Sequence, residues 1–243
     1  MADFRDKLYE QYFHNQNGRR MHVALAEKIK ENWKQLTHEI LPLMPTVQGA
    51  KLLDIGCGYG EWLMLLKEKG YTQAEGIDIS PDQVGMAKSL GMENIQVADV
   101  FEFLGSKPGY YDGITGIDII EHFTKDELVR LLELIKSALK PGGKAIFRTP
   151  NMDGLLSSVY AYGDFTHAAL LNYSSAHQLA ASCGFTQVEV LPSYIYVNGA
   201  LKEMIRKFLW FAYTTHAKLV LFASGRSTRG VLLTPNLVMV VGV

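Results

Sequence analysis

One stretch constrains this chain more than any other: Leu52-Leu53-Asp54-Ile55-Gly56-Cys57-Gly58-Tyr59-Gly60-Glu61. An apolar strand runs into three glycines at alternate positions and then into helix-forming residues. Glycines there let the backbone take positive φ and come close to a ligand. The helix that follows presents N–H groups with no intrahelical partner. Spacing narrows the ligand class. A dinucleotide fingerprint G-x-G-x-x-G would put its third glycine at position 61, where Glu61 stands, and a carboxylate there sits badly against a pyrophosphate. A phosphate-binding P-loop needs a G-K-[ST] ending, and none follows.

Beyond this loop the chain alternates between the two hydrophobic periods. Leu25, Ile29, Trp33, Leu36 and Ile40 recur at helical spacing, which predicts a helix over about 19–41, stopped by Pro42 and Pro45. Short apolar runs predict strands over 51–55, 74–79, 95–97, 111–117, 144–149, 188–191 and 237–243. Helices are expected over 61–69, from the cap Ser80-Pro81-Asp82-Gln83, from Thr124-Lys125-Asp126-Glu127 to 139, and over 175–183. Lys140-Pro141-Gly142-Gly143 reads as a tight turn. Such alternation implies an α/β fold, a mostly parallel, doubly wound sheet covered by helices. No repeat or linker divides the chain. It reads as one domain: a helical cap (1–48), a cofactor-binding core (49–150) and an acceptor side (151–243).

Three successive strands each end in a carboxylate: Asp54, Asp78 and Asp99, separated by 24 and 21 residues. That edge is where open α/β sheets bind ligands. A carboxylate ending the second strand is placed to accept both hydroxyls of a ribose. One ending the third can reach an adenine amine, and Asp54 sits near a ligand ammonium or a water held by one. With the segment Tyr111-Asp112-Gly113-Ile114-Thr115-Gly116-Ile117-Asp118 and the turn Leu139-Lys140-Pro141-Gly142-Gly143, this set resembles the class I S-adenosylmethionine-dependent methyltransferases. The resemblance implies a seven-stranded sheet of order 3-2-1-4-5-7-6 with the last strand antiparallel. It implies S-adenosylmethionine as cofactor, Asp78 on the ribose, Asp99 and Val100 on the adenine, Ile79 against the adenine face, and Gly56, Gly58 and Gly60 along the methionine end. Cys57 lies in the same loop and reads as a small residue without a redox role.

Methyl transfer to a hydroxyl needs an oriented acceptor and a base for its proton. After the fourth strand comes Asp118-Ile119-Ile120-Glu121-His122-Phe123. After the fifth come Thr149-Pro150-Asn151 and Tyr162-Gly163-Asp164-Phe165-Thr166-His167. His122 and His167 are the two candidate bases. The second segment is similar to the methyltransferases that act on sugars of bacterial O-antigen, capsule and other polysaccharides. That likeness implies His167 as base, Asp164 orienting it, and a sugar hydroxyl of a surface glycan or its lipid-linked precursor as acceptor. The sequence departs from the pattern at Ala168, where a carboxylate often stands. The alternative keeps methyl transfer and changes the acceptor: an O- or N-methyltransferase of a small molecule, for example a phenol in quinone or natural-product metabolism. Arg148 and Asn151, ending the fifth strand, are candidate acceptor contacts. Asp118, Glu121, His122, Asp164 and His167 would gather around a divalent cation only if their loops converge. Their spacing matches no metal motif, so no metal is expected. Tyr9, Tyr12 and Phe13 with Arg19 and Arg20 are candidates for a lid.

Composition excludes several other classes. Two cysteines, Cys57 and Cys183, cannot build a disulfide framework or a four-thiolate zinc site. The first residues carry no leader-like apolar run, and Lys207, Lys218 and Arg226 interrupt the most apolar stretch, so a cytoplasmic location is expected. A formal charge of −1 and no Asn/Asp-Pro-Pro-Tyr/Phe motif after the fourth strand argue against nucleic acid. From residue 200 onward, however, six cations face one carboxylate, Glu203. Over 200–229 this basic, aromatic stretch has three readings: peripheral contact with an anionic inner-membrane face, a homodimer interface, or a helix packing its apolar face on the core.

Overall fold

The computed structural model describes residues 22–46 and 49–243. The proposed lid residues Tyr9, Tyr12, Phe13, Arg19 and Arg20 lie outside them. The first helix, α1 (His22–Glu39), ends in a short 3-10 turn at Leu41–Leu43. The alternation then follows: β1 (Leu52–Ile55), α2 (Glu61–Glu68), β2 (Ala74–Asp78), α3 (Pro81–Ser89), β3 (Ile95–Val97), α4 (Val100–Gly105) and β4 (Tyr111–Ile117). After these come α5 (Lys125–Ala138), β5 (Leu139–Pro150), α6 (Ser157–Ala161), α7 (Tyr173–Ser182), β6 (Gln187–Pro192), α8 (Ala200–Ala223) and β7 (Asn236–Gly242).

The seven strands form one sheet of order β3-β2-β1-β4-β5-β7-β6. Strands β1 to β5 pair in parallel, and β7 runs antiparallel between β5 and β6. This is the fold the resemblance implied. Both faces of the sheet are covered, so neighbouring residues of one strand enter different cores. In β5, Ala145 and Phe147 pack with α5 and α7, while Ile146 packs with α1 and α2. In β7, Leu237, Met239 and Val241 take the first side and Val238 the second. The period of two fixes each side chain's face.

Helix starts carry the caps that the sequence predicts. Ser80 accepts from the Gln83 N–H, and Thr124 and Glu127 form a reciprocal capping box. Three local expectations need correction. Lys140-Pro141-Gly142-Gly143 is an irregular excursion within β5, because Leu139 already pairs with Tyr111 before regular pairing resumes at Lys144. Helix α4 was not foreseen; Asp99 creates it by accepting from the N–H groups of Phe101 and Glu102. Helix α7 starts two residues early, capped by Asn172.

Candidate active site

The loop between β1 and α2 is built by steric exclusion. Gly56 has φ of 64°, and a Cβ there would lie 2.6 Å from Ile119 Cγ1. Gly60 caps α2 at φ of 81°, and its Cβ would lie 2.6 Å from Ile95 Cδ1. Both need glycine for conformation and for space. The Gly58 N–H donates to Asp78 Oδ2 at 2.8 Å, and the Ser80 N–H donates to Oδ1 at 2.8 Å, so two backbone groups fix this carboxylate. Burial raises its pKa against those two bonds.

A cavity of about 340 Å³ opens at this edge. Gly56, Gly58, Asp78, Ile79, Asp99 and Val100, all foreseen, line it. Gln83, Phe101, Ile119 and Phe123, which sequence reasoning missed, line it too. Gln83 had been read only as a helix-start residue. Its Oε1 is buried and has no hydrogen-bond partner. Ile79 is 57% exposed, an apolar side chain at the lip. The polar set is acceptor-rich: the Asp78 carboxylate, the Asp99 oxygen not engaged in capping, and Gln83 Oε1. The remaining wall is apolar and aromatic. Such a lining suits a nucleoside bearing hydroxyl and amine donors and a positive centre, and it repels phosphates. S-adenosylmethionine meets those terms.

Asp54, Cys57 and Gly60 do not line this cavity; they form the layer behind the loop. Asp54 accepts from Thr115 Oγ1 at 2.7 Å, and burial pushes its pKa up to about 7. Cys57 fills the space over Gly76, where a Cβ would meet its Sγ at 2.8 Å, and burial pushes its thiol up. It packs behind the loop and does not line the cavity, unlike the cofactor contact its place in the loop suggested.

A second cavity of about 450 Å³ adjoins the first. Asp118, Glu121, His122, Tyr160, Asp164 and His167 are among its walls, and Asp118 and His122 line both cavities. Two backbone bonds bring the distant segments together: the N–H groups of Ala168 and Ala169 donate to Glu121 O at 2.7 and 3.0 Å. The histidine rings lie 4.8 Å apart, edge to face. Thr166 Oγ1 donates to Asp164 Oδ1 at 2.6 Å, the only direction a carboxylate allows. Thr166 Oγ1 must therefore accept from His122 Nδ1, 2.7 Å away. The chain Asp164–Thr166–His122 thus sets one tautomer and puts the proton-accepting lone pair on Nε2. Burial, and then the neighbouring His167, lower the His122 pKa to about 4. His167 Nδ1 lies 3.2 Å from Ala161 O, which only accepts.

Ligand atoms of Glu121, His122 and His167 lie within 4.8 Å of one another. The loops do converge, although hydrogen bonds already hold one oxygen of Glu121, through Thr149 Oγ1, and both Nδ1 atoms. Burial, and then the charge of Asp118, push Glu121 up to about 8.

The two candidate acceptor contacts at the end of β5, Arg148 and Asn151, are both engaged by partners within the protein. Arg148 is bidentate to Asp118, with Nε donating to Oδ1 at 3.1 Å and Nη2 to Oδ2, and Nη1 lies 3.6 Å from Glu39 Oε2. Its cation balances two carboxylates, and it is not among the walls of the second cavity. Asn151 is fully buried; its amide donates to Leu232 O and Thr234 O, and its oxygen accepts from the Asp153 N–H. It ties the end of β5 to the segment before β7.

A family model described as a methyltransferase domain matches residues 25–190. The ubiquinone biosynthesis O-methyltransferase of Xanthomonas euvesicatoria is 28% identical over 134 residues, 53% of this chain and 55% of that protein. Its counterpart in Idiomarina loihiensis is 29% identical over 108 residues, 42% and 43% of the two chains. The chain spans about half the length of the curated relatives it matches. Among solved structures, a SAM-dependent methyltransferase from Archaeoglobus fulgidus superposes with a TM-score of 0.67 at 23% identity, covering 99% of this chain and all of that one. Phosphoethanolamine N-methyltransferase 2 of Haemonchus contortus, bound to S-adenosylhomocysteine, gives 0.63 at 20% identity over 97% of this chain and 60% of that one.

Proposed function

The chain belongs to the class I S-adenosylmethionine-dependent methyltransferase-domain family, and from that premise we propose that it methylates a hydroxyl group of a small molecule, a phenol or quinol. One observation carries the reading: His122 stands in the wall shared by the two cavities, with its tautomer set so that Nε2 accepts a proton.

When bound, S-adenosylmethionine supplies an activated methyl group. Asp78, Asp99 and Gln83 are the residues to hold its nucleoside, and Ile79, Val100 and Phe101 to flank the base. The second cavity holds the acceptor. There His122 Nε2 takes the hydroxyl proton as the oxygen attacks. The resulting imidazolium keeps its Nδ1–H bonded to Thr166, whose hydroxyl points at the Asp164 carboxylate. Thr166 and Asp164 are positioning residues.

The low basicity of His122 bears on the acceptor. A base with a pKa of about 4 is neutral throughout the physiological range but holds a proton weakly. A phenol, with an ordinary pKa of about 10, asks less of it than an alcohol does. The O-methyltransferase names of the sequence relatives point the same way. A second reading, a sugar hydroxyl of a surface glycan with His167 as base, draws on the polar wall that Asp118, Glu121, Asp164 and His167 form.

Methyl-labelled S-adenosylmethionine offered with a panel of phenols and quinols, and separately with glycolipid and polysaccharide fractions, separates the two. Label in the phenol panel supports the proposal; label confined to glycan favours the second reading. His122→Ala is expected to lower turnover by about 10²–10⁴-fold, far more than it weakens cofactor binding. Thr166→Val should lower turnover less and leave KM nearly fixed. Undiminished turnover in His122→Ala would remove the base assignment.

A further inference from the structure

Helix α8 faces the wrong way for a helix of a soluble domain. It is 24 residues long, and none is buried. The partly sheltered positions Glu203, Arg206, Trp210, Tyr213, Ala217 and Leu221 recur three or four residues apart and form one stripe, the side turned toward the rest of the protein. Half a turn away, Leu201, Met204, Phe208, Phe211, Leu219 and Phe222 form the most apolar stripe, and all six are exposed. Phe208 and Phe211 are each 69% exposed and Phe222 78%. The expectation that the apolar face packs on the core is therefore overturned. The helix rests on its mixed face and presents its apolar one outward. It also lies beyond the residues that match the family model.

The charges say what covers that face. The only carboxylate of the helix, Glu203, is on the sheltered side and held by Arg206, with both contacts under 2.8 Å. On the helical wheel Lys207 and Lys218 border one margin of the apolar stripe, and Lys202 lies beyond Ile205 and Leu209 at the edge of the sheltered side, all three exposed. Arg226 and Arg229 follow, also exposed. An exposed apolar stripe with lysines alongside it and no carboxylate near it is the pattern of a helix lying in a membrane interface, with rings among the acyl chains and ammonium groups among anionic headgroups. A second copy of the chain fits less well, because a two-fold contact through the apolar stripe would bring lysines of both copies beside one another with no carboxylate on that face to offset them. No helix among the described residues is long and apolar enough to cross a membrane.

We infer that α8 seats this protein on an anionic lipid surface, its axis in the plane of the membrane and the Phe208, Phe211, Phe222 face inserted. The inference does not depend on the identity of the acceptor. Leu155 joins α8 in an apolar groove, and Val159 and Tyr160, a few residues on, line the acceptor cavity.

Cosedimentation of the full chain with vesicles of phosphatidylcholine, with and without phosphatidylglycerol, tests this. The intact chain is expected to pellet with the anionic vesicles and stay in solution with the neutral ones. Combined Phe208→Ser, Phe211→Ser and Phe222→Ser should abolish pelleting. Combined Lys202→Gln, Lys207→Gln and Lys218→Gln should weaken it by about a hundredfold. Unchanged circular dichroism and cofactor binding would show that both variants fold. The inference fails if the chain pellets with neither vesicle, if pelleting ignores lipid charge, or if the phenylalanine variant still pellets. It also fails if the intact chain self-associates without lipid and the phenylalanine variant does not, which would make a second copy the occupant.

Discussion

Glu121 shows how one side chain can hold a site together and still carry a cost. Its backbone oxygen receives the two N–H groups that dock the Asp164–His167 segment, while its carboxyl is 1% exposed and bonded to Thr149. Because burial raises its folded pKa from 4.5 to about 8, the folded protein binds the proton more tightly than the unfolded chain does. Its contribution to stability is present below pH 4.5 and is lost as pH rises through 8. Asp54, raised to about 7, acts in the same direction. Glu121→Gln removes the buried ionisation without removing the Thr149 partner. Its melting temperature is expected to match the parent near pH 5 and to exceed it by several degrees near pH 9. A constant offset across that range would show that Glu121 does not titrate in this way.

At the scale of elements, Asp99 does two jobs that two substitutions separate. One oxygen caps α4 and the carboxyl lines the cofactor cavity. Asparagine caps as well as aspartate, so Asp99→Asn is expected to keep its melting temperature while binding S-adenosylmethionine about tenfold more weakly, the worth of roughly one hydrogen bond. Asp99→Ala loses the cap too, about 1 kcal/mol, and its melting temperature should fall by roughly 2–4 °C. Equal affinities by calorimetry in the parent and Asp99→Asn would confine Asp99 to capping. The elements also show why some boundaries were legible. Ser80 and Thr124 announce their helices within four residues. The α4 cap is hidden in a carboxylate that the cofactor pattern already claimed.

At the scale of the whole molecule, the Arg148 guanidinium joins β5 to α1, through Glu39, and to the turn after β4, through Asp118. Glu39 accepts in addition from the Tyr194 N–H, beyond β6. Removing Arg148 strands two carboxylates, of which Glu39 is buried and Asp118 is 42% exposed and able to relax into water. Arg148→Met is expected to destabilise by about 3 kcal/mol, the lower end for a broken buried pair. That corresponds to a fall of roughly 6–12 °C in melting temperature. Adding Glu39→Gln should recover part of it, because the two residues are coupled. A loss of activity without a loss of stability would return Arg148 to the acceptor.

The sequence by itself determined the sheet, its order through the family resemblance, and the edge where the glycine loop and the strand-end carboxylates meet. These follow from short-range rules: alternation along strands, caps at helix starts, and glycines forced by positive φ, each readable within a few residues. It also singled out His122, Asp164 and His167, which the fold brings to one cavity wall, because unusual residues cluster after strand ends. Only the tertiary structure decided what those residues touch. Arg148 and Asn151 were absorbed by partners more than twenty residues away, Thr166 became the link that sets the His122 tautomer, and α8 turned its apolar face outward. Hydrogen-bond direction and burial depend on which segments meet, and no local pattern encodes that meeting.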